Sequence, residues 1–227
     1  MSRLPESLLA RGPISALTVG KIFLDESFDA RLPGDLEKLS RWLGMTSPLR
    51  QAEQIHTDLI DLDGSLTACD AFLVRPGQAA LVRHADCFPV IVAAPQAGLA
   101  IVAHCGWKGV ALDLVGKSAR QLLAMGCRPE ELCAAIGPGI GPASFEVGPE
   151  VLGKFPTAFH SHTRWGTASV DLPAVLRRQG MEAGIAPDRI EASVIDTFAD
   201  PKFHSYRREK ELSGRNATVC IVSTSPS

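Results

Sequence analysis

Between residues 71 and 103 the chain passes through four short apolar runs, at 71–74, 79–82, 88–94 and 99–103. Arg75-Pro76-Gly77, Asp86 and Pro95-Gln96-Ala97-Gly98 cut them apart. Runs this short and this uniformly apolar read as buried strands, since a strand with one wet face alternates. All four are expected in one sheet. Three side chains able to bind a metal flank this block. His56 lies upstream in Gln54-Ile55-His56-Thr57-Asp58, Cys87 in Ala85-Asp86-Cys87-Phe88-Pro89-Val90, and His104 in His104-Cys105-Gly106-Trp107-Lys108-Gly109. Each is expected at a strand end of the sheet.

The rest of the chain interleaves strands with helices. Residues 1–12 read as loosely docked, and 14–24 as one or two short strands turning near Gly20. A helix is expected from Pro33 to about Gly44, with Leu36, Leu39, Trp42 and Leu43 on one face. Residues 49–60 read as a strand through His56. The best helical period runs over 110–125, with Leu112, Val115, Ala119, Leu122 and Leu123 inward, Asp113 in the first turn and Gly126 as the stop. Strands follow at 132–136, 190–195 and 217–222. Short helical stretches are expected at 148–155 and from Asp171 to about Gly184, with a polar loop at 160–167. Gly137-Pro138-Gly139-Ile140-Gly141-Pro142 lacks any phosphate-loop pattern and reads as a tight turn. This order predicts one mixed α/β domain over residues 1–227.

Composition narrows the partners. The chain is 45% hydrophobic and 21% charged, ordinary for a folded domain with a sizeable core. A formal net charge of -2 offers no electrostatic reason to bind nucleic acid or an anionic membrane. No apolar run approaches the roughly 18 to 20 residues of a membrane helix. The first twenty residues carry Arg3, Glu6 and Arg11 in place of a secretory apolar segment. Six cysteines with no CxxC pair suit free thiols in a reducing cytoplasm. A monomer or weak homodimer acting on a small molecule is expected.

Zinc favours imidazole and thiolate donors, and a catalytic zinc keeps three protein ligands and an open position where water becomes acidic near pH 7. His56, Cys87 and His104 supply such a set. They lie far apart in sequence, so spacing alone does not separate a metal site from a buried thiol and two hydrogen-bonded histidines. The same residues also allow a metal-free hydrolase, with Cys87 as nucleophile, His104 as base, and Asp86 or a carbonyl as orienter. A non-catalytic domain with a structural zinc would need a fourth ligand, such as His84 or Cys105.

Several motifs narrow these choices together. They are Gln54-x-His56, Ala85-Asp86-Cys87-x-Pro89-Val90, His104-x-Gly106-Trp107-x-Gly109, Ile136-Gly137-Pro138-x-Ile140-Gly141, Phe145-Glu146-Val147-Gly148, Ser205-Tyr206-Arg207-Arg208 and Gly214-Arg215. In this order, over about 54–222, the chain resembles the polyphenol oxidase or laccase-domain family. Members of that family are described as purine nucleoside phosphorylases and adenosine deaminases, and one branch as a peptidoglycan editing factor. The resemblance implies a single domain with a mixed sheet flanked by helices, a laccase-domain α/β sandwich of the cytotoxic necrotizing factor-like kind. It implies zinc on His56, Cys87 and His104, and a purine nucleoside substrate cleaved by phosphate or deaminated by water. Copper is the less favoured metal, because multicopper oxidation needs many histidines and this chain has six.

Within that resemblance Asp86, Lys108 and Arg207 are the catalytic candidates, and Trp107, Tyr206 and Arg208 the substrate-binding ones. Asp86 would orient a ligand or carry a proton, or else cap a turn. Lys108 stands where the family has Arg, and as a point charge it binds phosphate less specifically than a planar fork. Arg207 and Arg208 would offer two cations beside a ring, or else cover apolar neighbours. The chain departs from the family at Cys105, usually Ala, at His84, usually Thr, at Asp196 and at His204. The family's N-terminal motif is barely recognisable in Arg11-Gly12-Pro13-Ile14-Ser15.

Overall fold

The apolar runs form strands of two sheets, and the contact between those sheets is the centre of the molecule. The computed structural model describes residues 6–46 and 48–224. The chain opens with β1 (Glu6–Arg11), β2 (Ile14–Val19), β3 (Ile22–Phe23), β4 (Glu26–Ser27) and α1 (Pro33–Trp42). Then come β5 (Ile60–Asp61), β6 (Ala71–Val74), β7 (Gln78–His84), β8 (Phe88–Ala94), β9 (Leu99–Cys105), α2 (Trp107–Ala111) and α3 (Leu114–Ala124). The last third holds β10 (Cys133–Ile136), α4 (Pro149–Leu152), β11 (His160–His162), β12 (Ala168–Val170), α5 (Leu172–Glu182), β13 (Ile190–Ala192), α6 (Tyr206–Glu209) and β14 (Asn216–Val222).

One sheet is mixed, in the order β13-β10-β8-β9-β6-β5, with parallel pairs at both edges and antiparallel pairs between. The other is antiparallel, in the order β1-β2-β14-β7. Phe72, Val74, Ile91, Ala93, Ala100 and Val102 of the first pack on Leu9, Ile14, Ala80, Val82, Cys220 and Val222 of the second. The far face of the mixed sheet, with Leu73, Val90, Val92 and Ile101, is covered by Leu114, Val115 and Leu122 of α3 and Val175 and Leu176 of α5. The far face of the antiparallel sheet, with Val19, Leu81 and Val219, is covered by Leu39 of α1 together with Phe23 and Phe28. Helix, sheet, sheet and helices thus make four layers in one α/β sandwich. Among the described residues no helix is long and apolar enough to cross a membrane.

Several expectations need correction. Residues 79–82 fall in β7 of the antiparallel sheet, apart from the other three runs, because strands of either sheet are covered on both faces and carry the same apolar signature. Residues 6–11 form the edge strand β1; the remainder of the expected loose segment, 1–5, lies outside the described residues. The stretch before β5 makes isolated bridges at Arg50 and Glu53 and then turns at His56, whose φ of 58° is left-handed. The long helix is broken: Asp113 adopts φ 61° between α2 and α3, and its carboxylate meets Arg120 at 2.6 Å. Residues 160–167, expected as a loop, begin with β11, which pairs with β12 in a hairpin.

Candidate metal centre

His56, Cys87 and His104 converge, although each comes from a different kind of backbone. His104 is on β9, where alternation turns it to the opposite face from Cys105. Cys87 ends the turn from β7 into β8, in which Asp86 takes φ 94°. His56 stands on a loop, not at a strand end. One donor atom from each lies within 4.8 Å of the others, the only such cluster among the described residues. Cys87 Sγ is 3.9 Å from His56 Nε2, and the two imidazoles meet edge-to-face at 5.0 Å.

Electrostatics couple Cys87 to the two histidines. Burial alone raises the Cys87 thiol, but the charge and hydrogen bond of His104, with help from His56, pull it down to about 6. Burial likewise lowers His104, and Cys87 with Asp70 more than reverses this, to about 9. The carboxylate that meets His104 is Asp70, fully buried, with Oδ1 2.8 Å from Nδ1. Burial raises Asp70, yet the His104 contact and the Thr57 N–H hold it below the ordinary carboxylate range, so it is an acceptor. It therefore accepts a hydrogen bond from Nδ1–H and turns the Nε2 lone pair toward the cluster. Gly106 forms a cradle: a Cβ there would stand 2.8 Å from His56 Cδ2 and 3.0 Å from Cys87 Sγ. Two imidazoles, an acidified thiol and this tight packing fit a borderline or soft metal ion.

The cluster opens onto a cavity of about 600 Å³. Arg31, Arg83, Arg215 and Tyr206 also line it. The Gln54 side chain clamps β7 there as a strand would: its Nε2 donates to the Arg83 carbonyl at 2.7 Å and its Oε1 accepts from Arg83 N at 2.8 Å. The Arg83 guanidinium reaches the Ala52 carbonyl at 3.4 Å, and no carboxylate pairs with it among the described residues. Arg215 lies over the Tyr206 ring at 5.8 Å, and the Tyr206 hydroxyl donates to Glu211 at 2.6 Å.

The other residues singled out in the sequence have partners away from the cavity. Asp86 is spent on structure: Oδ1 accepts from Thr197 Oγ1 at 2.8 Å and Oδ2 from the Arg207 N–H at 2.6 Å. It is therefore not the orienter of His104. Arg207 lies over Phe145 and donates to the Glu146 carbonyl. Arg208 holds the Thr197 and Phe198 carbonyls at 2.7 and 2.6 Å. Lys108 is exposed, 5.7 Å from the ring of Trp107, which packs on the helix-side core. Neither Cys105 nor His84 joins the cluster. Burial pushes the Cys105 thiol up, and His84 Nε2 pairs with Thr218 Oγ1 at 3.0 Å. Asp70 and Arg83 escape a reading of the sequence, but each leaves a trace: a lone acid directly before an apolar run, and a cation directly after one.

Residues 12–223 match the family described as multi-copper polyphenol oxidoreductase laccase, and the chain belongs to it. A protein named purine nucleoside phosphorylase from Xylella fastidiosa is 34% identical over 203 residues, covering 82% of this chain and 76% of that one. A protein named adenosine deaminase RL5, from an unknown prokaryotic organism, is 30% identical over 170 residues, 71% of this chain and 65% of that one. The crystal structure of YlmD from Geobacillus stearothermophilus superposes with a TM-score of 0.83 at 23% identity, covering 93% of this chain and 92% of that one, and shares the fold.

Proposed function

We propose that the protein is a zinc enzyme acting on purine nucleosides, cleaving adenosine, inosine or methylthioadenosine with phosphate, or deaminating adenosine with water. The observation that carries this reading is two imidazoles and an acidified thiol gathered at the wall of a nucleoside-sized cavity. The names of the relatives support the substrate class. When bound, zinc would supply Lewis acidity at the position that three protein ligands leave open.

The chain's own residues bind and orient. His56, Cys87 and His104 would hold the ion. Tyr206, 43% exposed, offers a face on which a purine stacks. Arg83 and Arg215, both lining the cavity, suit the planar recognition of phosphate, and in this reading take the anion-binding role expected of Lys108 and Arg207. In phosphorolysis an oxygen of hydrogen phosphate bonds to C1′ as the bond to the base nitrogen breaks, and the proton that phosphate gives up goes to the leaving base. In deamination water adds to the purine carbon and ammonia departs. Metal analysis, followed by incubation with each nucleoside with and without phosphate, tests this. About one zinc per chain and release of base or of inosine are expected. Zinc-loaded protein that turns over none of the three nucleosides overturns it.

A metal-free hydrolase is the second reading, favoured by the Cys87–His104–Asp70 series, in which the base is oriented by a carboxylate at 2.8 Å. Alkylation decides between them. Zinc ligation protects Cys87 from iodoacetamide until a chelator is added, whereas a free thiolate nucleophile reacts at once.

A further inference from the structure

We infer that Asp70 is the positioning residue of the metal centre, one buried carboxylate that sets two of the three ligands. The inference rests on the metal reading of His56, Cys87 and His104. Its two oxygens divide the task. Oδ1 meets His104 Nδ1 at 2.8 Å, and Oδ2 accepts from the backbone N–H of Thr57 at 2.7 Å and of Ile55 at 3.2 Å. Those two N–H groups bracket His56, whose left-handed φ of 58° is uncommon for a side chain with a Cβ. Successive N–H groups converging on one anion form a nest, and the anion stabilises a backbone turn that would otherwise relax. Asp70 is itself fixed: its carbonyl accepts from His104 N at 2.7 Å, and it immediately precedes β6. It thus ties the loop carrying His56 to the strand carrying His104, across 48 residues of chain.

Asp70→Asn separates this role from simple packing. The amide keeps the shape and can still accept from Thr57, but its NH2 now faces His104 Nδ1. That moves the imidazole proton to Nε2, the atom needed for the metal. Zinc affinity is measured by competition with a chromophoric chelator, and ligation by the thiolate charge-transfer band of bound cobalt(II). Asp70→Asn is expected to bind zinc about 10- to 100-fold more weakly, while the metal-free protein still unfolds in one cooperative transition. In a His104→Ala background the same change is expected to cost much less, because its route through the imidazole is gone. Wild-type affinity in Asp70→Asn, or an equal loss in both backgrounds, overturns the inference. Wild-type protein that binds no zinc overturns the metal reading itself. Should Asp70→Asn fail to fold, nitrogen-15 spectra of zinc-loaded wild type answer the same question: a proton on His104 Nδ1 supports the inference, and metal on Nδ1 overturns it.

Discussion

At the scale of single residues, the centre depends on what is absent from one position. Gly106 has φ -71° and ψ 167°, angles any residue adopts, so its backbone does not require glycine. Its need is spatial, since a Cβ would press on His56 at 2.8 Å and on Cys87 at 3.0 Å. Gly106→Ala is therefore expected to weaken zinc binding by about tenfold, some 1.4 kcal/mol, while the metal-free protein stays folded. Chelator competition alongside circular dichroism checks this; unchanged affinity would show that the ligands yield to a methyl group. The three donors are legible in the sequence only through the motifs that carry the family resemblance. Asp70 is not, because a carboxylate becomes a ligand's partner only when β6 and β9 lie side by side, and nothing in Cys69-Asp70-Ala71 announces that pairing.

At the scale of elements, a buried polar chain stitches the antiparallel sheet beneath the cavity. Thr18 of β2 bonds Thr218 of β14 at 2.7 Å, and Thr218 bonds His84 of β7 at 3.0 Å. Burial, with His104 and His204 nearby, holds the His84 imidazole down to about 3, against 6.5 in an unfolded chain. The unfolded state then takes up a proton that the folded state refuses. This contribution to stability is complete above about pH 6.5 and is lost progressively as pH falls toward 3. Urea titrations of metal-free protein at pH 7.5 and 5 are expected to show a larger loss for wild type than for His84→Gln. Equal losses would assign the acid sensitivity to other groups. Helix positions follow from apolar period and stop signals, as in α5, whose Asp171 accepts from Ala174 N at 3.0 Å. The break at Asp113 does not, because its left-handed turn interrupts a period that continues on both sides.

At the scale of the whole molecule, the layer between the two sheets is one of three buried cores. Ile91 on β8 is fully buried there. Ile91→Ala removes contacts that a close-packed interior cannot refill, and is expected to cost about 2 to 5 kcal/mol. Val194→Ala, at a side chain 99% exposed, should stay within about 0.5 kcal/mol. Chemical denaturation of both variants tests the contrast, and similar costs would show that this layer is not close-packed.

The division of labour between chain and fold follows from range. Local order determined the apolar runs and the helices with clear stop signals, since strand burial and helix period are properties of neighbouring residues, while His56, Cys87 and His104 stood out through the motifs that carry the family resemblance. Only the tertiary structure decided that 79–82 belongs to a second sheet, because runs covered on both faces look alike whichever layer holds them. It also decided that Asp70 rather than Asp86 meets His104, and that Arg83 and Arg215 rather than Lys108 and Arg207 line the cavity. Side-chain direction across a sandwich depends on which strands pair, and that is set by the packing of the whole.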